Sequence, residues 1–308
     1  MMIITKKILN RLKESVYELE HNIINWDILK NNKKYVKFII ICDIRSGSTM
    51  LTSYLSSHPK ILMFYELFHR YQDSIPFNAP GYRGKSSNKE IVNLRNSDPV
   101  KFLNDIIFTI HPKRIMAVGF KLHYTQARMG KPWWFDKKYD PLWRNTSRVT
   151  HWNAAKSDVW KYLKENTDIK IIHLKRNNIL KSLLSANNAW SSGRWGIGAT
   201  GGFQNSDSTK IELNFEETRL SFETRKRYED EADNLFKNHT IFQIKYEDML
   251  DTKEVTLRKL QEFLELDYYE LKTSTKKQSN KALDEIIINY SDLKNKFSGT
   301  PWIEYFDC

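Results

Sequence analysis

Two short segments carry the residue types and spacings that can do chemistry. The first is Asp43-Ile44-Arg45-Ser46-Gly47-Ser48-Thr49-Met50-Leu51, small hydroxyl residues around one glycine, between an apolar run and an apolar helical pattern. Backbone N–H groups at such a helix start form a cradle for an anion, and the positive end of the helix dipole reinforces it. Ser46, Ser48 and Thr49 add hydroxyl donors, and Arg45 adds a charged fork of donors. An ordinary capped helix uses the same residue types, but strand, basic residue, small loop and helix in that order favour phosphate recognition. A Walker loop is excluded, because it needs Lys directly after its last glycine and Gly47 is followed by Ser48-Thr49. A kinase or NTPase is therefore disfavoured.

The second segment is His173-Leu174-Lys175-Arg176-Asn177-Asn178, which leads into a helical stretch containing Ser182 and Ser185. Arg176 falls at the C-terminal end of an expected parallel strand, the place where α/β sheets bind ligands. Ser182 and Ser185 lie three residues apart and share a helix face. Together Arg and Ser can grip a second phosphate group. A literal GxGxxG occurs at 196–201, but no strand leads into it and no helix leads out, so the dinucleotide reading is rejected.

These segments need a scaffold, and the hydrophobic pattern supplies one. Short apolar runs at Phe38–Cys42, Ile61–Phe64, Met116–Leu122, Ile169–Leu174 and Ile241–Tyr246 read as strands. Helical stretches fall between and around them at Thr49–Ser57, Pro99–Ile110, Ala154–Glu165, Asn178–Ala189 and Phe215–Phe236. The alternation predicts an α/β fold with a mostly parallel central sheet flanked by helices. Before it, Ile4, Ile8, Leu12, Val16, Leu19 and Ile23 form one stripe of an amphipathic helix, with Glu14, Glu18 and Glu20 interrupting its basic face. Packing of this helix on its own domain is favoured, and peripheral contact with a membrane surface is the alternative.

With 308 residues, 40% hydrophobic and 28% charged, the chain can bury a substantial core. Its formal charge of +12 favours an anionic partner: nucleic acid, a membrane surface, or a phosphorylated or sulfated small molecule. Two cysteines, Cys42 and Cys308, exclude a disulfide framework and a CxxC zinc site. No apolar run approaches the roughly 20 residues that span a bilayer, and the N-terminus breaks into charges too soon for a secretory signal. A soluble, cytoplasmic protein is expected.

Residues 45–51 resemble the 5′-phosphosulfate loop of sulfotransferases that use 3′-phosphoadenosine 5′-phosphosulfate (PAPS). Ser57-His58-Pro59 and Glu66 resemble the carbohydrate-sulfating branch, which includes the Nod-factor and trehalose types. His173 through Ser185 resembles the family's 3′-phosphate motif, with Ser185 the better match and Ser182 still open. Phe120–Tyr124, Ala189-Trp190, Gly193-Arg194-Trp195, Lys245–Leu250 and the tail from Lys277-Gln278 to Trp302 resemble further family blocks. The resemblance runs from about residue 36 to the C-terminus, with Ile44 standing where many members have Pro. It leaves the N-terminal helix, residues 1–34, outside and implies one P-loop-like nucleotide-binding sulfotransferase domain over 35–308.

What the resemblance implies is in-line transfer of a sulfuryl group from PAPS to a hydroxyl of a carbohydrate or glycolipid, without a metal. Arg45, Ser46, Gly47, Ser48, Thr49, Met50, Arg176 and one of Ser185 and Ser182 would hold the donor. Glu66 resembles the catalytic base of the carbohydrate branch, and Lys121-x-His123 resembles the cytosolic branch's catalytic His with its Lys. Glu66 is preferred as base, with His123 the alternative and Lys121 on donor sulfate or acceptor. Trp133, Trp134, Trp143, Trp152, Trp190 and Trp195 suit stacking against sugar rings. Two other classes compete: a nucleotide-dependent phosphotransferase, and a non-enzymatic nucleic-acid-binding protein. The missing Walker lysine counts against the first. Cations interspersed with acids, and no recognition motif, count against the second, so no nucleic-acid partner is expected.

Overall fold

A strand apolar on both faces must lie inside a sheet that is covered from both sides. The computed structural model describes residues 31–32, 34–69, 73–127, 157–192, 210–275 and 281–307. In it Phe38-Ile39-Ile40-Ile41-Cys42 is the C-terminal part of β1 (Val36–Cys42), and each of those side chains is fully buried. Strands β2 (Ile61–Glu66), β3 (Ala117–His123), β4 (Lys170–Lys175) and β5 (Ile241–Lys245) complete a five-stranded sheet. Its order is β2-β3-β1-β4-β5, and every neighbouring pair is parallel. The chain leaves β1 for one edge of the sheet and leaves β4 for the other. The crevice between the C-terminal ends of β1 and β4 is therefore a topological switch point, where such sheets bind ligands.

Alternation along the strands splits the core into two layers. On one face Ile39, Ile41, Phe120 and Leu122 pack with Trp160 and Leu163 of α3 (Asp158–Glu165) and with Tyr228 and Ala232 of α5 (Phe215–Leu235). On the other, Phe38, Ile40 and Cys42 meet Leu51 and Leu55 of α1 (Ser48–Ser56) and Leu257 and Leu260 of α6 (Lys253–Phe263). A third cluster joins Ile179, Leu180 and Leu184 of α4 (Ile179–Ser192), Phe222 of α5, and Leu293 of α7 (Tyr290–Lys296) with Phe297 and Phe306. This cluster ties the C-terminal segment to the helix that follows β4.

The expected strands are all present, with ends shifted by one or two residues. One expected helix differs. Within Pro99–Ile110 the α-helix covers only Pro99–Phe102, and a wider π-helical turn covers Leu103–Ile107, closed by the Phe108 N–H donating to the Leu103 carbonyl. That turn keeps Phe102, Leu103 and Ile107 together in one core layer. Helices not anticipated include α2 (Lys89–Ser97), α6 and α7. Among α2 side chains only Val92 and Arg95 are buried, and α6 buries Thr256 and Gln261 beside its two leucines, so neither shows a plain apolar stripe. Asn31–Asn32 pair antiparallel with His111–Pro112. Residues 1–30 and 33 of the expected N-terminal helix, residues 154–156 of the expected helix Ala154–Glu165, Gly193-Arg194-Trp195, the GxGxxG stretch and Lys277-Gln278 lie outside the described residues.

Gly119 on β3 faces Phe38 of β1, and a Cβ there would sit 2.5 Å from the Phe38 carbonyl oxygen and from its ring. Gly119→Ala is therefore expected to destabilise the chain by about 1–3 kcal/mol. Urea unfolding with an unchanged midpoint would contradict this packing.

Candidate functional site

Register builds one half of the site. Between Met63 and Glu66 strand β2 carries a bulge, so that Met63 pairs with Gly119 but Glu66 pairs with Lys121. A parallel pair without the extra residue would put Tyr65 opposite Lys121 and turn Glu66 to the other face. On the same face of β3, two residues on, His123 pairs with Cys42 of β1. Glu66 Oε1 accepts the Lys121 ammonium at 2.8 Å and faces His123 Nε2 at 3.3 Å. The Gln126 amide donates to Glu66 Oε2 at 2.8 Å, while its own Oε1 accepts the His123 backbone N–H at 3.1 Å. Cys42 Sγ lies 3.5 Å from His123 Nδ1. Lys121 Nζ also reaches Ser48 Oγ at 3.4 Å, which links this cluster to the loop after β1.

Accessibility separates the members. Lys121 and His123 are buried, with 2% and 6% of their side chains exposed, whereas Glu66 exposes 23%. Burial alone would raise the Glu66 pKa, but Lys121 and then His123 hold it well below the ordinary carboxylate range. Burial likewise opposes charge on His123, yet Cys42 and Glu66 lift its pKa well above the ordinary imidazole value. The resting cluster is thus a carboxylate between two cations.

The loop after β1 supplies the second half. Gly47 caps α1 at a φ of 87°, and a Cβ there would lie 2.2 Å from the ring of Tyr246, so glycine is required by both conformation and space. Its carbonyl accepts the N–H groups of Met50 and Leu51, which starts the helix. Ser46 and Ser48 are buried and Thr49 is exposed. Arg45 has a φ of 58°, a left-handed conformation that costs a side-chain-bearing residue about 1–2 kcal/mol. Its carbonyl is held by Arg176 Nη1 at 3.0 Å and by Ser182 Oγ at 3.3 Å.

The two sequence segments therefore meet. Arg45 Nε donates to Ser185 Oγ at 2.9 Å, and the Arg176 guanidinium stacks 4.6 Å from the ring centre of Tyr246. Ser182 contacts the loop backbone, while Ser185 contacts the Arg45 side chain. Glu247 accepts the Asn177 N–H at 3.1 Å, and Asp248 accepts the Lys245 N–H at 3.0 Å, tying strand ends to helix starts. Burial lowers the pKa of both Arg45 and Arg176, and repulsion from Arg176 lowers that of Arg45 further. Two half-buried guanidinium groups crowded together at a switch point are stabilised by an anion placed between them.

Sequence reasoning missed Gln126, Asp43 and Arg225. Gln126 is an uncharged amide three residues beyond a strand, and no motif marks it. Asp43 Oδ1 accepts the Ile44 N–H at 2.8 Å, and Asp43 Oδ2 pairs with Arg225 of α5 at 3.4 Å, a partner far off in sequence. The side chain of Trp190, and all of Trp133, Trp134, Trp143, Trp152 and Trp195, lie outside the described residues. Among the described residues no group of three or more His, Cys, Asp or Glu side chains could hold a metal, and no helix is long and apolar enough to cross a membrane.

Residues 38–270 match the family model described as "Sulfotransferase family". Nodulation protein H of Rhizobium tropici is 22% identical over 275 residues, covering 88% of this chain and 92% of that protein. A solved structure, the sulfotransferase domain from the curacin biosynthetic pathway, covers 77% of this chain and 76% of its own, at 16% identity and a TM-score of 0.36.

The ion cluster makes a pH prediction. The raised pKa of His123 contributes stability that is fully present below its ordinary value and fades as pH rises through the raised one. The depressed pKa of Glu66 contributes stability above its ordinary value, lost as pH falls through the lowered one. Glu66→Gln should lower the His123 titration midpoint in heteronuclear NMR, with His123→Gln assigning the resonance. An unchanged midpoint would mean that the carboxylate does not hold the imidazolium.

Proposed function

The chain belongs to the sulfotransferase family, and from that premise we propose that it transfers a sulfuryl group from PAPS to a hydroxyl of a carbohydrate or glycolipid in the cytoplasm. The observation that carries this reading is the crowding of Arg45 and Arg176 at the switch point, beside the N-terminus of α1 and next to Ser185. In this assignment Arg45, Ser46, Gly47, Ser48, Thr49 and Met50 receive the 5′-phosphosulfate, and Arg176 with Ser185 receives the 3′-phosphate. Ser182 serves the loop, because its hydroxyl supports the strained Arg45 carbonyl. The carbohydrate class rests on the resemblance around Ser57-His58-Pro59 and Glu66. One domain over residues 35–308 and a separate N-terminal helix are part of the same proposal.

The reaction is in-line. The acceptor oxygen attacks sulfur, the bond from sulfur to the 5′-phosphate oxygen breaks, and its electron pair leaves with the phosphate. Negative charge grows where Arg45 and the loop amides lie, which is where fixed donors accelerate transfer. The hydroxyl proton goes to Glu66. Its greater exposure supports it over His123, which already carries a proton in the resting cluster. Paired with two cations, Glu66 is a weak base at rest. The donor's sulfuryl group offers Lys121 a second anion, and as its ammonium turns there one cation leaves Oε1 and the carboxylate gains basicity. His123 and Gln126 keep the carboxylate aimed meanwhile.

Thermal shift with adenosine 3′,5′-bisphosphate, ATP and an oligonucleotide in parallel tests the donor class. Stabilisation by the bisphosphate, weakened in Arg45→Ala and in Arg176→Ala, is expected; stabilisation by ATP or oligonucleotide alone overturns the proposal. With labelled PAPS and a carbohydrate acceptor panel, Glu66→Gln should bind the bisphosphate like the wild type yet turn over about 10²–10⁴-fold more slowly. Full turnover in that variant would transfer the base role to His123.

A further inference from the structure

Helix α5 sends one cation beneath the anion loop. Arg225 has a side chain only 2% exposed, with Nη1 3.4 Å from Asp43 Oδ2 and Nε 3.6 Å from Glu229 Oε1. Asp43 is the first residue after β1. Its Oδ1 accepts the Ile44 N–H and its carbonyl accepts the Ser46 hydroxyl, both at 2.8 Å, so it fixes the first turn of the loop twice over. It is also a carboxylate at the root of a cradle whose proposed occupant is an anion. Left unpaired, it would repel what the loop has to hold.

We propose that Arg225 is a positioning residue for the donor: it neutralises Asp43, so that the loop keeps the hydrogen bonds of this carboxylate without its charge. The inference rests on the donor reading given above and concerns a residue that does not touch the donor. Its hydrogen bonding sets Arg225 apart from a packing residue. Nε and Nη2 have no hydrogen-bond partner among the described residues, nor has Glu229 Oε1. A guanidinium kept only for structure would saturate its donors, and an apolar side chain of similar volume would fill the space without that desolvation cost. Burial raises the Glu229 pKa, and of the two carboxylates Asp43 lies nearer to the guanidinium, at 3.4 Å against 3.6 Å. The field of Arg225 extends to Arg176, whose pKa it helps to lower after burial itself.

A charge cycle separates neutralisation from scaffolding. Calorimetric affinity for adenosine 3′,5′-bisphosphate is measured on the full chain as wild type, Arg225→Met, Arg225→Lys, Asp43→Asn and the double variant Arg225→Met/Asp43→Asn. Arg225→Met should bind about tenfold more weakly or worse, Arg225→Lys should stay nearer to wild type, and the double variant should regain most of the lost affinity. Scaffolding predicts no such recovery. Arg225→Met binding like wild type, or a double variant no tighter than Arg225→Met, overturns the inference. Should Arg225→Met fail to fold, the double variant is compared with Asp43→Asn, and a further loss beyond about threefold overturns it equally. A wild-type chain that does not bind the bisphosphate overturns the donor reading itself, a result distinct from any failure within the cycle.

Discussion

Between Met63 and Glu66 strand β2 advances three residues while β3 advances two, from Gly119 to Lys121, and a side-chain period of two makes that extra residue decisive. It turns Glu66 onto the face where Lys121 and His123 already point and where Cys42 of β1 lies opposite His123. Once there, the carboxylate is shared by an ammonium, an imidazole and an amide. Lys121 is almost completely buried, and a cation in that position needs its counter-charge: removing one partner of a buried pair costs about 3–5 kcal/mol. The bulge and the ion cluster therefore hold each other in place. Register sets the cluster, and the cluster penalises any slip of register.

The same edge of the sheet gathers cations that the rest of the fold tolerates only because acids and carbonyls are placed against them. Arg45 sits in a left-handed conformation, yet its carbonyl is gripped by Arg176 from the turn after β4 and by Ser182 from α4. Arg176 lies over Tyr246, and Tyr246 in turn leaves room at Gly47 for glycine alone. Asp43 and Arg225 pair underneath. Each contact ties the loop after β1 to a different part of the fold, the turn after β5 through Tyr246, α4 through Ser182, and α5 through Arg225. A loop supported on three sides can carry backbone strain and crowded charge that an isolated turn would relax.

What was legible in the sequence follows from which interactions are local. Phe38–Cys42 declares a buried strand by its own composition, and the hydroxyl-rich turn after it declares a helix start. Arg176 and Ser185 sit on one strand–helix unit, so their spacing carries meaning without tertiary information. The bulge does not, because Ile61–Phe64 reads as the same strand whether Glu66 or Tyr65 meets Lys121. Nor does Arg225, which reaches Asp43 from a helix otherwise rich in surface charge. Gln126 bonds through an amide that no motif specifies. The π-helical turn at Leu103–Ile107 is invisible for a similar reason: an apolar pattern spaced by three or four suits an α-helix equally well.

Glu66 and His123 stand in the sequence as rival bases, and the fold makes them partners. Their separation of 3.3 Å lets them share a proton, so neither titrates independently of the other. While Lys121 and His123 both face Oε1, the proton resides on the imidazole and the carboxylate is charged. Taking up one more proton at Glu66 then requires that one cation give way. His123 is poorly suited to that, being buried, flanked by Cys42 and fixed through its backbone by Gln126. Lys121 is better suited, since its flexible four-carbon stem already reaches Ser48 at the mouth of the loop. In the function proposed above, the position of one ammonium couples the basicity of the carboxylate to the anion in the loop, and confines hydroxyl activation to the moment when that anion is present.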